Sequence, residues 1–159
     1  MARPLSEDKR TAILEAATEV VATLGLSAPT AKIAKEAGVA EGTLFTYFAN
    51  KDELLNRLYL ELKMDLRDAM MTGYPAGKSL IDRNRHVWDR YIGWGSAHPL
   101  KRRAMRQLVV SDRITEGARS LSAPASVIRV GNNECDRRHD DGFYRARACT
   151  GKALHERRV

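Results

Sequence analysis

Cysteine is scarce in this 159-residue chain. Cys135 and Cys149 are too few for a disulfide framework and suit a reducing compartment. No run of 18 apolar residues occurs, and the opening Met-Ala-Arg-Pro-Leu-Ser lacks the basic-then-apolar form of a signal peptide. A cytoplasmic location without a membrane partner is expected. Strand-rich segments are missing too, which leaves an all-α fold. Metal-ligand spacing is equally poor. Cys135 with His139 and Cys149 with His155 match no common zinc pattern, so neither metal nor cofactor is expected.

Catalytic constellations are also lacking, and the chain reads as a non-enzyme. His86 and His98 have no matching nucleophile, while Asp82 and Asp89 are spaced like a solvated helix face. The run Thr72-Gly-Tyr-Pro-Ala-Gly-Lys-Ser resembles a phosphate-binding P-loop with threonine in place of the first glycine. Its context argues against nucleotide binding. A P-loop follows a β-strand, whereas this run follows a long helical pattern.

Apolar residues make up 43% of the chain, enough for one domain with a core or a small domain with an appendage. The net charge of +7 suits a nucleic-acid partner, but it is unevenly spread. Residues 1–50 carry five cations and six carboxylates, residues 51–100 eight and seven, residues 101–120 six and two, and residues 121–159 eight and five. The excess lies in the second half, so the role of the first half has to come from geometry.

That first half has a helical period. Ser6 is a good N-cap, Glu7 and Asp8 suit the positive end of a helix, and Ile13, Ala16, Ala17, Val20 and Leu24 recur until Gly25 stops the run. Pro29 suits a first helical turn, and a second short helix ends at Gly38, where a left-handed conformation permits a sharp turn. Val39 tucks into that corner. A third helix follows to Ala49, and Asn50 caps a fourth over 51–71, built on Leu54, Leu55, Leu58, Leu62 and Leu66. The third helix needs two partners. Leu44 and Phe48 share one face, whereas Thr43, Thr46 and Tyr47 point elsewhere, and Gly42 weakens the helix for no local benefit.

Two short helices joined by a glycine turn, with Ile33, Ala34, Ala37, Val39, Leu44 and Phe48 converging, describe a helix-turn-helix unit. The run Lys32-Ile-Ala-Lys-Glu-Ala-Gly-Val-Ala-Glu-Gly-Thr-Leu-Phe-Thr-Tyr-Phe-Ala-Asn-Lys-Asp-Glu-Leu-Leu, residues 32–55, resembles the signature of TetR-family transcriptional repressors, and the resemblance extends over residues 6–60. The resemblance implies a third helix lying in the DNA major groove. Gly42 would then allow close approach, Thr43 would meet base edges or phosphate, Phe45 a thymine methyl, and Thr46 and Tyr47 the groove or phosphates. It also implies that Thr30 and Lys51 grip phosphates and that Lys32 belongs to the same surface. There are departures. Ala40 replaces a capping serine, Phe45 lacks the usual tyrosine hydroxyl, and Glu41 repels phosphate unless it accepts from a cytosine amine.

Beyond the breaker Gly73-Tyr-Pro-Ala-Gly, helices are expected over 78–97 and 99–120. The resemblance implies a small-molecule pocket among such helices. His86, Trp88, Tyr91 and Trp94 are its candidates, although amphipathic spacing alone would make the aromatics a core stripe. Residues 122–159 have seven arginines, one lysine and no helical or strand period, so an irregular or disordered tail is expected. Two long dimer-forming helices expected by resemblance are lacking there, which a shifted frame or a truncation would explain.

The expected division is thus a helix-turn-helix head at 1–50, a helical ligand-binding and dimerisation domain at 51–121, incomplete at its C-terminal end, and the tail. The function implied is a repressor, working as a homodimer, which a small-molecule effector releases from double-stranded operator DNA. A truncated or frame-shifted regulator that retains the DNA-binding head without a normal dimer interface is the alternative, ahead of a phosphate-binding enzyme.

Overall fold

A computed structural model describes residues 6–121. Within them the chain is all-α, with seven helices and no strand. The first, α1 (Glu7–Leu24), turns Ile13, Leu14, Ala17, Val20 and Val21 inward at three- and four-residue spacing. Gly25, at φ 87°, ends it. Its start differs from expectation: the Ser6 side chain makes no capping bond, and the Ser6 backbone N–H donates instead to the Tyr47 hydroxyl at 3.0 Å.

The next helices are α2 (Thr30–Glu36) and α3 (Glu41–Tyr47). Pro29 is the N-cap of α2 rather than part of its first turn. Between the helices Gly38 takes φ 67°, while its N–H bonds the Lys35 carbonyl and that of Val39 bonds the Ala34 carbonyl. This pair of bonds is a Schellman motif, which turns the chain sharply while satisfying carbonyls at the helix end. Helix α4 (Lys51–Met71) starts firmly. The Asn50 Oδ1 accepts from Glu53 N–H at 2.8 Å, and the Glu53 carboxylate accepts from Ala49 N–H at 2.8 Å.

The second half holds α5 (Leu80–Ala97), α6 (Pro99–Val109) and α7 (Glu116–Leu121). The single helix expected over 99–120 is broken, because Ser111 and Thr115 bring side chains that favour turns and caps. The Thr115 hydroxyl accepts from Ala118 N–H at 3.3 Å, and the Arg119 guanidinium donates to the carbonyls of Val109, Ser111 and Ile114. Asn56 pins this turn to α4. Its amide donates to the Arg113 carbonyl at 2.8 Å and accepts from Thr115 N–H at 2.8 Å.

One hydrophobic core runs from Ile13 to Ala118. Helix α6 packs on both α1 and α4, and α5 packs on α4. The P-loop-like run spans the α4–α5 connection, where the Ser79 hydroxyl accepts from Asp82 N–H at 3.2 Å to cap α5. Among the described residues no helix is long and apolar enough to cross a membrane. The expectations for residues 122–159, including Cys135, His139, Cys149 and His155, lie outside the described residues.

Candidate nucleic-acid interface

Helix α3 divides cleanly. Leu44 and Phe48 are 0% and 2% exposed, whereas Gly42, Phe45 and Thr46 form an exposed stripe at three- and four-residue spacing. A Cβ at Gly42 would meet nothing within 4 Å, so the backbone there is bare. Phe45 presents its ring at 42% exposure. The exposed Thr46 donates its hydroxyl to the Gly42 carbonyl at 3.1 Å, which leaves the oxygen free to accept. Thr43 is half-buried at the edge of the stripe. Tyr47 faces the other way, its half-buried ring against the core and its hydroxyl on α1, so its contact in the free chain is with protein.

The starts of α2, α3 and α4 are tied together. The Thr30 hydroxyl donates to the Glu41 carboxylate at 2.6 Å, and Lys51 Nζ donates at 2.6 Å to the carbonyl of Ala28, two residues before Thr30. Both groups that the resemblance expects to grip phosphate are therefore engaged within the chain. Burial lowers the Lys51 ammonium from its usual range, the Arg113 charge lowers it further, and Asp52 opposes them. A phosphate would act as Asp52 does, favouring the charged form. Lys32 is exposed on α2, paired at 3.9 Å with Glu36.

The body candidates separate around α5. Residues three apart drift by about 60° per step around a helix, so Trp88 and Trp94 lie about 120° apart. Trp94 is 6% exposed and its Nε1 donates to Asp65 at 3.1 Å, whereas Trp88 is 64% exposed and stacks on Tyr91 at 6.0 Å. Tyr91 and Trp94 border a cleft of about 850 Å³ between α4, α5 and α6. His86 and Trp88 do not. His86 sits beside the α4–α5 connection, edge-on to Tyr74 at 6.1 Å.

Several residues escaped sequence reading. Lys63, Arg102, Arg103, Arg106 and Gln107 also line the cleft, and Gln107 donates at 2.9 Å to the Val21 carbonyl of α1. A signal existed for the arginines, namely the charge excess in 101–120. For Gln107 and Asn56 there was none, because their partners lie 86 and as many as 59 residues away.

Residues 13–58 match the model of bacterial regulatory proteins of the tetR family. The chain is similar to the fatty acid metabolism regulator protein of Bacillus subtilis, 48% identical over 50 residues, which are 31% of this chain and 26% of that protein. Its fold is similar to a crystal structure of a TetR family transcription regulator from Marinobacter aquaeolei VT8, with a TM-score of 0.71, 27% identity, and 79% of this chain and 66% of that one covered. A protein from Shewanella sp. PV-4, assigned to the same family, gives a TM-score of 0.70 at 32% identity over 77% of this chain and 69% of its own. The chain belongs to the TetR family. It is an all-α, helix-turn-helix member, and its relatives are regulators rather than enzymes. Of the curated relatives that it matches, the chain spans 26% of one and 40% of another.

Proposed function

We propose that the chain is a sequence-specific DNA-binding repressor, working as a homodimer and released from its operator by a small molecule. The observation that carries this reading is the outward stripe of α3, where a bare backbone at Gly42 and the exposed Phe45 ring stand on a helix whose opposite face is buried. Such a stripe fits a major groove, with Phe45 suited to a thymine methyl and Thr43 and Thr46 to base edges or phosphate. Thr30, Lys32 and Lys51 flank it as phosphate contacts, and Glu41 competes with phosphate for Thr30. Tyr47 then serves the groove through packing, by holding α3 against α1.

Release requires a ligand that favours a body conformation in which the two heads fit the operator poorly. The affinity lost for DNA equals the difference in ligand affinity between the two states. The test is fluorescence anisotropy with duplex DNA from the region upstream of the protein's own gene, titrated at several salt concentrations. Tighter binding to one segment than to unrelated duplexes, weakening as salt rises, is expected. Equal binding to every duplex, or none, would refute the reading.

A further inference from the structure

We infer that the cleft between α4, α5 and α6 binds an amphipathic anion, an apolar chain or ring system bearing a carboxylate or phosphate. The inference rests on the sensing role proposed for the body. At about 850 Å³ the cleft has the size of a ligand site. Part of its lining is apolar, with Leu66, Trp94 and Met105 buried. Its polar rim is of one sign. Lys63, Arg102, Arg103 and Arg106 line it, and no carboxylate does so among the described residues.

The nearby acid is already committed. Asp65 on α4 accepts from Lys101 at 2.8 Å and from Trp94 at 3.1 Å, so it answers a different cation. Arg106 stands three residues from Arg103 and four from Arg102, spacings at which like charges on a helix repel. Among the described residues none of them has an ion-pair partner, in contrast to Lys101. A neutral ligand would leave that repulsion in place and a cationic one would add to it. An anion with an apolar body satisfies both the rim and the walls. A second copy of the chain is a poor occupant, because the same cationic rim would face itself.

The test uses the full chain carrying Trp88→Phe, which makes Trp94 in the cleft its one tryptophan. Its emission is titrated with dodecanoate, dodecyl phosphate and dodecanol, each below its micellar concentration. At least one anion should give a saturable response, about tenfold tighter than the alcohol, and Arg102→Gln/Arg106→Gln should weaken it about tenfold without changing the alcohol. Both arginines are exposed, and circular dichroism checks that the variant folds. Whichever anion binds more tightly identifies carboxylate or phosphate as the head group. Equal binding of the alcohol, indifference to the arginines, or no saturable response to either anion would overturn the inference. DNA binding without probe is measured in parallel. Its loss alone counts against the repressor reading, and a silent cleft beside intact DNA binding counts against the anion alone.

Discussion

Helices α3 and α5 are both largely exposed, for opposite reasons. The seven residues of α3 bury Leu44 and hold their outer stripe in one place through the Schellman turn on one side and the Asn50–Glu53 cap on the other. The eighteen residues of α5 bury only Trp94 and Gly95, while Ile81, Trp88, Tyr91 and Ile92 stay open along it. A preorganised convex stripe suits a rigid partner such as duplex DNA, and a half-open apolar wall suits a partner that completes it. Helix α6 packs on α5 as well as on α1 and α4. Gln107 joins it to the end of α1, and the turn after it is pinned by Asn56 to the beginning of α4.

The sharpest break in this comparison lies within α3. Leu44→Ala should lower stability by about 2–5 kcal/mol, the cost of emptying a fully buried leucine site. Its neighbour should do the reverse. Phe45→Ala should change stability by about 1 kcal/mol at most, yet weaken operator binding by about 1–3 kcal/mol for each base that the ring would otherwise cover. Thermal melts and anisotropy titrations read the two effects separately. If Phe45→Ala unfolds the head and leaves DNA affinity unchanged, the ring belongs to the core and the stripe faces nothing.

Charge at the helix starts gives a smaller effect. Glu41→Gln removes the carboxylate that holds the Thr30 hydroxyl, and it should tighten binding to all DNA sequences several-fold by ending a like-charge clash with phosphate. Lys51→Ala should weaken binding to all sequences alike and reduce the salt slope by about one per phosphate released, or about two per dimer. Titrations across a salt series decide. An unchanged slope would mean that Lys51 serves only to hold the Ala28 carbonyl.

These contrasts also explain what was legible in the sequence. Helices α1 and α4 could be bounded because period, caps and glycines act within a few residues, as with Gly25 and Asn50. Part of the α3 stripe was legible in the same way, since spacing turns Thr46 away from Leu44 and Phe48, whereas the outward places of Gly42 and Phe45 came from the family resemblance. Tyr47 was harder. Its position suits the groove, but the hydroxyl turns to Ser6, 41 residues away. The break between α6 and α7 depends on Asn56 and Arg119 acting on carbonyls, which no local pattern announces. In the body, three-residue spacing grouped Trp88 with Trp94, and helix geometry sends them to different sides.

Gln107 tests whether the two regions communicate. Gln107→Leu removes a hydrogen bond worth about 1 kcal/mol and leaves the Val21 carbonyl still bonded to Gly25 N–H. Operator affinity without ligand should stay within about twofold, since the stripe is untouched. Any weakening of DNA binding by the anionic probe should shrink, because the cleft would lose its direct bond to α1. Anisotropy with and without dodecanoate measures this. Full linkage in the variant would move the coupling to the Asn56 contact.

The smallest effect concerns acid, and it separates the body from the head. Burial raises the Asp65 carboxyl, but hydrogen bonds from Lys101 and Trp94, with the charges of Lys101 and His98, outweigh it and leave the group below its usual range. A carboxyl depressed in the folded state adds stability above its unfolded value, about 3.9, and that stability is lost as pH falls through the folded value. The side chain is 43% exposed, so solvent screens the contribution and keeps it small. Asp65→Asn should therefore melt slightly below the parent at pH 7, and the gap should close as pH falls below about 4. Melting curves for the pair between about pH 7 and pH 3 would show it. A gap that stays constant over that range would mean that Asp65 acts through packing rather than charge.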